Sequence, residues 1–132
     1  MLNRRHVFGA ALAMAIALSC ASLASAADSK PFDQAVFDAA QVAGKPILVH
    51  VTAPWCPTCK AQAPILSRLE NEPRFDNLVV FNIDFDTQKD LLRKFNVSMQ
   101  STLIVFKGKQ ETGRSTGDTN PASIEALLAK AV

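Results

Sequence analysis

Two apolar runs limit what this chain can fold into more than any other feature. They are residues 47–51, Ile47-Leu48-Val49-His50-Val51, and residues 78–83, Leu78-Val79-Val80-Phe81-Asn82-Ile83. Strands with apolar side chains at successive positions need cover on both faces, which implies a sheet with helices on each side. The rest of the chain supplies them. Phe32, Val36, Phe37 and Ala40 are spaced for one helical face, with Gly44 as its stop. Residues 57–70 read as a second helix with Ile65, Leu66 and Leu69 inward, and Pro64 inside it is expected to kink it. Thr87 is placed to cap a short helix carrying Leu91, Leu92 and Phe95. Asn120-Pro121, a cap followed by proline, opens the last helix, with Ile124, Leu127 and Leu128 facing the core. Residues 103–106 form a third strand, and Lys107-Gly108-Lys109 turns it into a fourth at 110–114. Residues 28–30 read as a polar lead-in. The order is α, β, α, β, α, β, β, α: an α/β fold with a central mixed sheet of about four strands flanked by helices on both faces.

The first 26 residues read as a leader. Arg4 and Arg5 precede an apolar stretch, and Ala24-Ser25-Ala26 is a small-residue cleavage site, so residues 1–26 are expected to be a secretory signal peptide cut after Ala26. The apolar stretch is shorter than the roughly 20 residues that span a bilayer. The twin arginines lack the flanking pattern of a twin-arginine signal, which favours ordinary Sec export. Residues 27–132 then form one domain in the periplasm. Arg4 and Arg5 account for the formal net charge of +2, so the exported part is near neutral. Nothing in that balance argues for nucleic acid or anionic lipid as a partner. Cys20 leaves with the leader, and of the three cysteines only Cys56 and Cys59 remain. Stability must therefore come from a core.

Those two cysteines lie in Trp55-Cys56-Pro57-Thr58-Cys59-Lys60, where a strand hands over to a helix. At a helix N-terminus, unpaired N–H groups and the positive end of the dipole favour a thiolate over a thiol. The thiolate is the attacking species in disulfide exchange. The second cysteine, one turn on, is placed to resolve a mixed disulfide. Zinc sites use the same spacing, so the pair alone does not decide the chemistry.

Taken together, these features resemble the thioredoxin family over residues 31–132. The resemblance rests on the strand ending at Trp55, the Cys56-Pro57-Thr58-Cys59-Lys60 motif, Ala63-Pro64-Ile65-Leu66 and Val80-Phe81-Asn82-Ile83-Asp84. It continues through Phe95-Asn96-Val97 to Thr102-Leu103-Ile104-Val105-Phe106-Lys107-Gly108. It implies a thioredoxin-like fold and a thiol–disulfide oxidoreductase, with Cys56 as nucleophile and Cys59 as resolving thiol. It further implies that Trp55, Pro57, Thr58, Gln100 and Ser101 line the substrate groove. No cofactor is called for. The expected partners are protein disulfides and dithiols, with the chain acting as a monomer. An exported reductant would draw its electrons from a membrane transporter of the DsbD or CcdA type, and an oxidant would need a membrane oxidase. Pro57-Thr58 matches neither the Gly-Pro of reducing thioredoxins nor the Pro-His of the strongly oxidising periplasmic enzyme. The thioredoxin-like character favours a reductant, of apocytochrome c thiols or of labile protein disulfides.

Two positions depart from the family. Thioredoxins carry a cis-proline before the Thr-Leu of the third strand, and here that place is Ser101. A cis bond before a residue other than proline costs about 2.5–4 kcal/mol, so a trans Gln100–Ser101 bond and a reshaped groove are expected. The second is His50, where the family usually has a buried aspartate beneath the resolving cysteine. Histidine can do the same proton work near neutral pH, or it can be a core imidazole hydrogen-bonded to backbone. Burial would lower its pKa and a neighbouring thiolate would raise it. Loss of the cis-proline also leaves an alternative open: a metal-binding module in which Cys56 and Cys59, with Met99 or His50, hold a soft ion. Met99 reads first as a groove-lining or packing residue, Lys60 as a solvated charge, and Asp84 with Asp86 as strand-end solvation.

Overall fold

The computed structural model describes residues 27–132, and the leader expected at residues 1–26 lies outside the described residues. Five strands form one sheet: β1 (Asp28–Pro31), β2 (Pro46–Thr52), β3 (Val79–Asp84), β4 (Thr102–Lys107) and β5 (Gln110–Thr116). Their spatial order is β1-β3-β2-β4-β5. β3 runs parallel to both β1 and β2, while β4 runs antiparallel to β2 and β5. The helices are α1 (Gln34–Val42), α2 (Pro57–Glu70), α3 (Lys89–Lys94) and α4 (Pro121–Ala129).

The period-2 alternation of the central strands divides the core between two faces. Ile47, Val49 and Val51 of β2 join Phe81 and Ile83 of β3 against Phe37 of α1 and Leu92 of α3. Leu48 of β2 joins Val80 and Leu103 against Leu66 and Leu69 of α2 and Ile124 and Leu128 of α4. The nearly continuous burial of β2, with only its end residues partly exposed, is the double-sided cover that its composition demands. His50 has the parity of Leu48, so it lies on the face covered by α2 and α4.

The ends of α1 show how local chemistry sets element boundaries. Asp33 is the N-cap and accepts the Val36 N–H at 2.9 Å. Phe32 precedes the helix and does not belong to its inward face. It packs on Phe37 at 5.3 Å between ring centroids, as a residue just before a cap packs on the fourth helical residue. Val36, expected to face inward, is 39% exposed for the same reason: the helix starts at Gln34 and turns Phe37 and Ala40 to the sheet. At the other end Lys45 N–H donates to Ala40 O and Gly44 N–H to Gln41 O, and Gly44 takes φ +69°, so the expected glycine stop is in place.

Two further expectations need correction, the polar lead-in at residues 28–30 and the Thr87 cap. The sheet has five strands because residues 28–31 are not a lead-in but an edge strand, Asp28↔Val79 to Pro31↔Asn82. Such a strand pairs through its backbone and needs no apolar pattern, and Asn82 Nδ2 fastens it by donating to Ser29 Oγ at 3.0 Å. Thr87 does not cap α3. The N-cap is Gln88, whose Oε1 accepts Asp84 N–H, while Asp84 Oδ1 takes the N–H groups of Asp86 and Thr87. The second helix spans 57–70 as expected, with Pro64 inside it. β5 extends two residues past its expected end, and Gly113 lets α4 sit close upon it: a Cβ there would meet Leu127 Cδ1 at 2.8 Å.

Phe37 holds the first core face together, with Phe32, Phe81, Phe95 and Phe106 all at 5.3–5.5 Å between centroids. Phe37→Ala is expected to cost about 3–5 kcal/mol of unfolding free energy. Denaturant titration checks it, and a loss under about 1 kcal/mol would contradict this packing.

Candidate active site

β2 ends at Thr52, and after a short turn Cys56 becomes the N-cap of α2, with Pro57 at the first helical position. The cap acceptor is the sulfur itself: Cys59 N–H donates to Cys56 Sγ at 3.1 Å. A thiolate at Cys56 would therefore hold the place that an aspartate or serine oxygen usually fills, at the positive end of a helix of 14 residues. Cys56 and Cys59 form a disulfide with 5.3 Å between Cα atoms, both side chains buried and covered by Ala53 and Phe85.

Ser101 closes the site from the opposite side. Its Oγ lies 3.1 Å from Cys56 Sγ and 3.1 Å from Cys59 Sγ. The Gln100–Ser101 bond is trans, as expected for a residue other than proline. The departure from the family appears instead in φ, which is +61° at Ser101, a region that costs a non-glycine residue of order 1–3 kcal/mol. Neighbours enforce it. Ser101 N–H donates to Val51 O at 2.8 Å, and Ser101 O accepts from Gly117 N–H at 3.0 Å and from Gln62 Nε2 at 3.2 Å. A proline could not make the first of these bonds.

Gln62 is the functional residue that the sequence reading missed. It is fully buried on α2. Its Nε2 donates to Ser101 O and to Asp118 O, and its Oε1 meets His50 Nε2 at 3.3 Å. Both carbonyls demand the amide nitrogen, so the amide oxygen must face the imidazole, and His50 Nε2 must carry its proton. Nδ1 is then the ring atom with a lone pair. The signal was present: buried positions 59, 62, 66 and 69 of α2 follow helical spacing, and a glutamine inside that stripe needs a buried polar partner.

His50 is thus held by a side chain and not by backbone, and its ring's partner among the described residues is Gln62 and neither sulfur. Burial lowers its pKa below 6.5, outweighing the bond to Gln62, which raises it. The imidazole is neutral at pH 7. The remaining candidates lie around the sulfurs. Trp55 is 54% exposed, with its indole N–H donated to Asp86 Oδ2 at 2.9 Å, which gives Asp86 a role that strand-end solvation does not. Asp84 serves the turn described above. Pro57 is exposed, and Thr58 and Gln100 are half-buried. Met99 is 52% exposed and Lys60 is at the surface. Among the described residues no group of three or more His, Cys, Asp or Glu side chains converges as metal ligands would.

The comparisons with known proteins agree with this geometry. The family model described as Thioredoxin matches residues 24–130. The thioredoxin Asp f 29 of Aspergillus fumigatus is 31% identical over 101 residues, 76% of this chain and 87% of that protein. The bifunctional thioredoxin reductase/thioredoxin of Mycobacterium leprae is 38% identical over 80 residues, 61% of this chain and only 17% of that longer protein. Among solved structures, Trxlp from Edwardsiella tarda superposes with a TM-score of 0.75 at 44% identity, covering 76% of this chain and 98% of that one.

The neutral, buried His50 predicts a pH dependence whose sign follows from linkage. Its folded pKa is depressed, so the unfolded chain takes up a proton that the native state resists as pH falls below about 6.5. Stability is unaffected above that value and declines below it, by at most about 1.4 kcal/mol per pH unit. His50 is the sole histidine outside the leader, so His50→Asn is expected to flatten that decline between pH 6.5 and the folded pKa. Equal slopes in the two proteins, from urea unfolding at stepped pH, would contradict it.

Proposed function

The chain belongs to the thioredoxin family and is a thiol–disulfide oxidoreductase, and on that premise we propose that it works in the periplasm as a reductant of protein disulfides. The observation that carries the chemistry is Cys56 at the N-cap of α2, its sulfur accepting Cys59 N–H. The reducing direction is supported by the thioredoxin relatives, and export by the charged, apolar and small-residue segments of residues 1–26.

In this reading Cys56 is the nucleophile. Its thiolate attacks a substrate disulfide, one substrate sulfur leaves as a thiolate and takes up a proton, and Cys56 is left in a mixed disulfide. Cys59 loses its proton and attacks Cys56 Sγ, the second substrate thiolate leaves, and two electrons have passed from the dithiol to the substrate. His50, neutral and on the sheet face beneath α2, handles the Cys59 proton. Trp55, Pro57, Thr58, Gln100 and Ser101 form the surface that meets the substrate. The chain is then reduced again across the membrane by a transporter of the DsbD or CcdA type, because an exported protein has no access to cytosolic reductase.

Cys59→Ser, expressed as the full chain in a Gram-negative host, is expected to accumulate in the periplasm with Ala27 as its N-terminus. There it should hold native substrates as dithiothreitol-sensitive adducts through Cys56, which Cys56→Ser abolishes. Full-length protein confined to the cytosol would overturn the location, and an absence of adducts would overturn the exchange role. His50→Ala is expected to slow release of a trapped model peptide at pH 7 by about 10²-fold, the lower end of general-base contributions. An unchanged rate from pH 6 to pH 8 would leave His50 without a proton role.

A further inference from the structure

Ser101 occupies an unusual place. Its hydroxyl lies at the same distance, 3.1 Å, from both sulfurs of the pair. Its backbone is tied on both sides, by Val51 O on one and by Gly117 N–H and Gln62 Nε2 on the other. The residue is buried, and its side chain makes no other hydrogen bond among the described residues. The one freedom left is rotation of the O–H about the Cβ–Oγ bond, and that rotation points the proton at one sulfur or the other. A disulfide sulfur is a weak acceptor and a thiolate a strong one. A fixed hydroxyl between them therefore stabilises the charged reduced form more than the oxidised one.

We propose that the Ser101 hydroxyl is a catalytic hydrogen-bond donor that serves whichever sulfur carries the negative charge. The proposal rests on the reading of Cys56 as the attacking thiol. In the reduced protein Ser101 donates to the Cys56 thiolate, alongside Cys59 N–H. When that thiolate attacks a substrate disulfide, the Cys56–substrate S–S bond forms, the substrate S–S bond breaks, and the departing substrate thiolate takes up a proton. Charge at Cys56 is then gone. Cys59, on losing its proton, becomes the thiolate, and the Ser101 O–H turns to it. Attack of Cys59 on Cys56 Sγ forms the internal disulfide, breaks the mixed one and expels the second substrate sulfur as a thiolate. The donor follows the charge without movement of the backbone. A proline in this place has no such proton to give.

The test is a titration of the Cys56 thiol by its ultraviolet thiolate absorbance, together with the reduction potential against glutathione. Both are read on the exported chain from Ala27 with Ser101 intact, as Ser101→Ala and as Ser101→Gly. Loss of the donor is expected to raise the Cys56 pKa by about one unit, a tenfold fall in the acid dissociation constant of the thiol. At a pH above the thiol pKa in all three proteins, the potential should become more negative by up to about 30 mV, the same tenfold change for a two-electron couple. Alanine and glycine both lack the hydroxyl, and glycine alone is at ease with the positive φ at Ser101. Equal shifts in the two variants support the hydroxyl. A shift in Ser101→Ala that is absent in Ser101→Gly would assign the effect to the backbone and overturn the proposal, as would unchanged values in both. Titration of Cys56→Ser separates the underlying reading. If the lowest thiol titration survives in that variant, Cys56 is not the attacking thiol and the failure lies there and not with Ser101.

Discussion

The alternation of side chains along β2 is the constraint on which the rest depends. A strand has only two faces, and a run of apolar residues at both parities forces each face under a helix layer. Ile47, Val49 and Val51 take the face of α1 and α3, and Leu48 takes the face of α2 and α4. That division decides more than packing. It turns His50 toward α2, and it delivers the chain at Thr52 to the point where α2 must start in order to lie on its own face. The cysteine pair stands at that start. A slip of one residue in β2 would reverse every one of these assignments.

On this scaffold the site departs from a purely apolar core in one direction only. His50, Gln62 and the backbone of Ser101 form a connected polar path beneath the disulfide, with each amide atom of Gln62 matched to a partner. Buried polar groups are tolerable when they are satisfied in this way and costly when they are not. Ser101 keeps a positive φ in a place where the family uses proline because its backbone is bonded on both sides, and one of those bonds, from Ser101 N–H to Val51 O, is one that proline could not form. His50 stays neutral in spite of this path: burial disfavours the charged imidazole and outweighs the bond to Gln62, which favours it.

Much of this was legible in the sequence. The two buried strands, the helix opening at Pro57, the Asn120-Pro121 start and the Gly44 stop all follow from local rules of burial and capping, and the structure has each of them. The resemblance to thioredoxins located the cysteines and the missing proline. What stayed hidden has a common physical character. β1 is held by backbone pairing and carries no apolar signature. The cap of α3 comes from a glutamine whose side chain turns back to the strand before it, which no propensity reports. Gln62 stands in a core-facing stripe, but its partners lie 12, 39 and 56 residues away, and only the fold brings them together.

The most direct test of the account is the equilibrium reduction potential of the Cys56–Cys59 couple, measured on the metal-free chain from Ala27 in a glutathione series. A reductant with a thioredoxin-like core is expected between about −270 and about −200 mV, the range from thioredoxin to the glutaredoxins. A value from about −180 to about −120 mV, where disulfide isomerase and the periplasmic oxidant lie, would contradict it and make the chain a donor of disulfides.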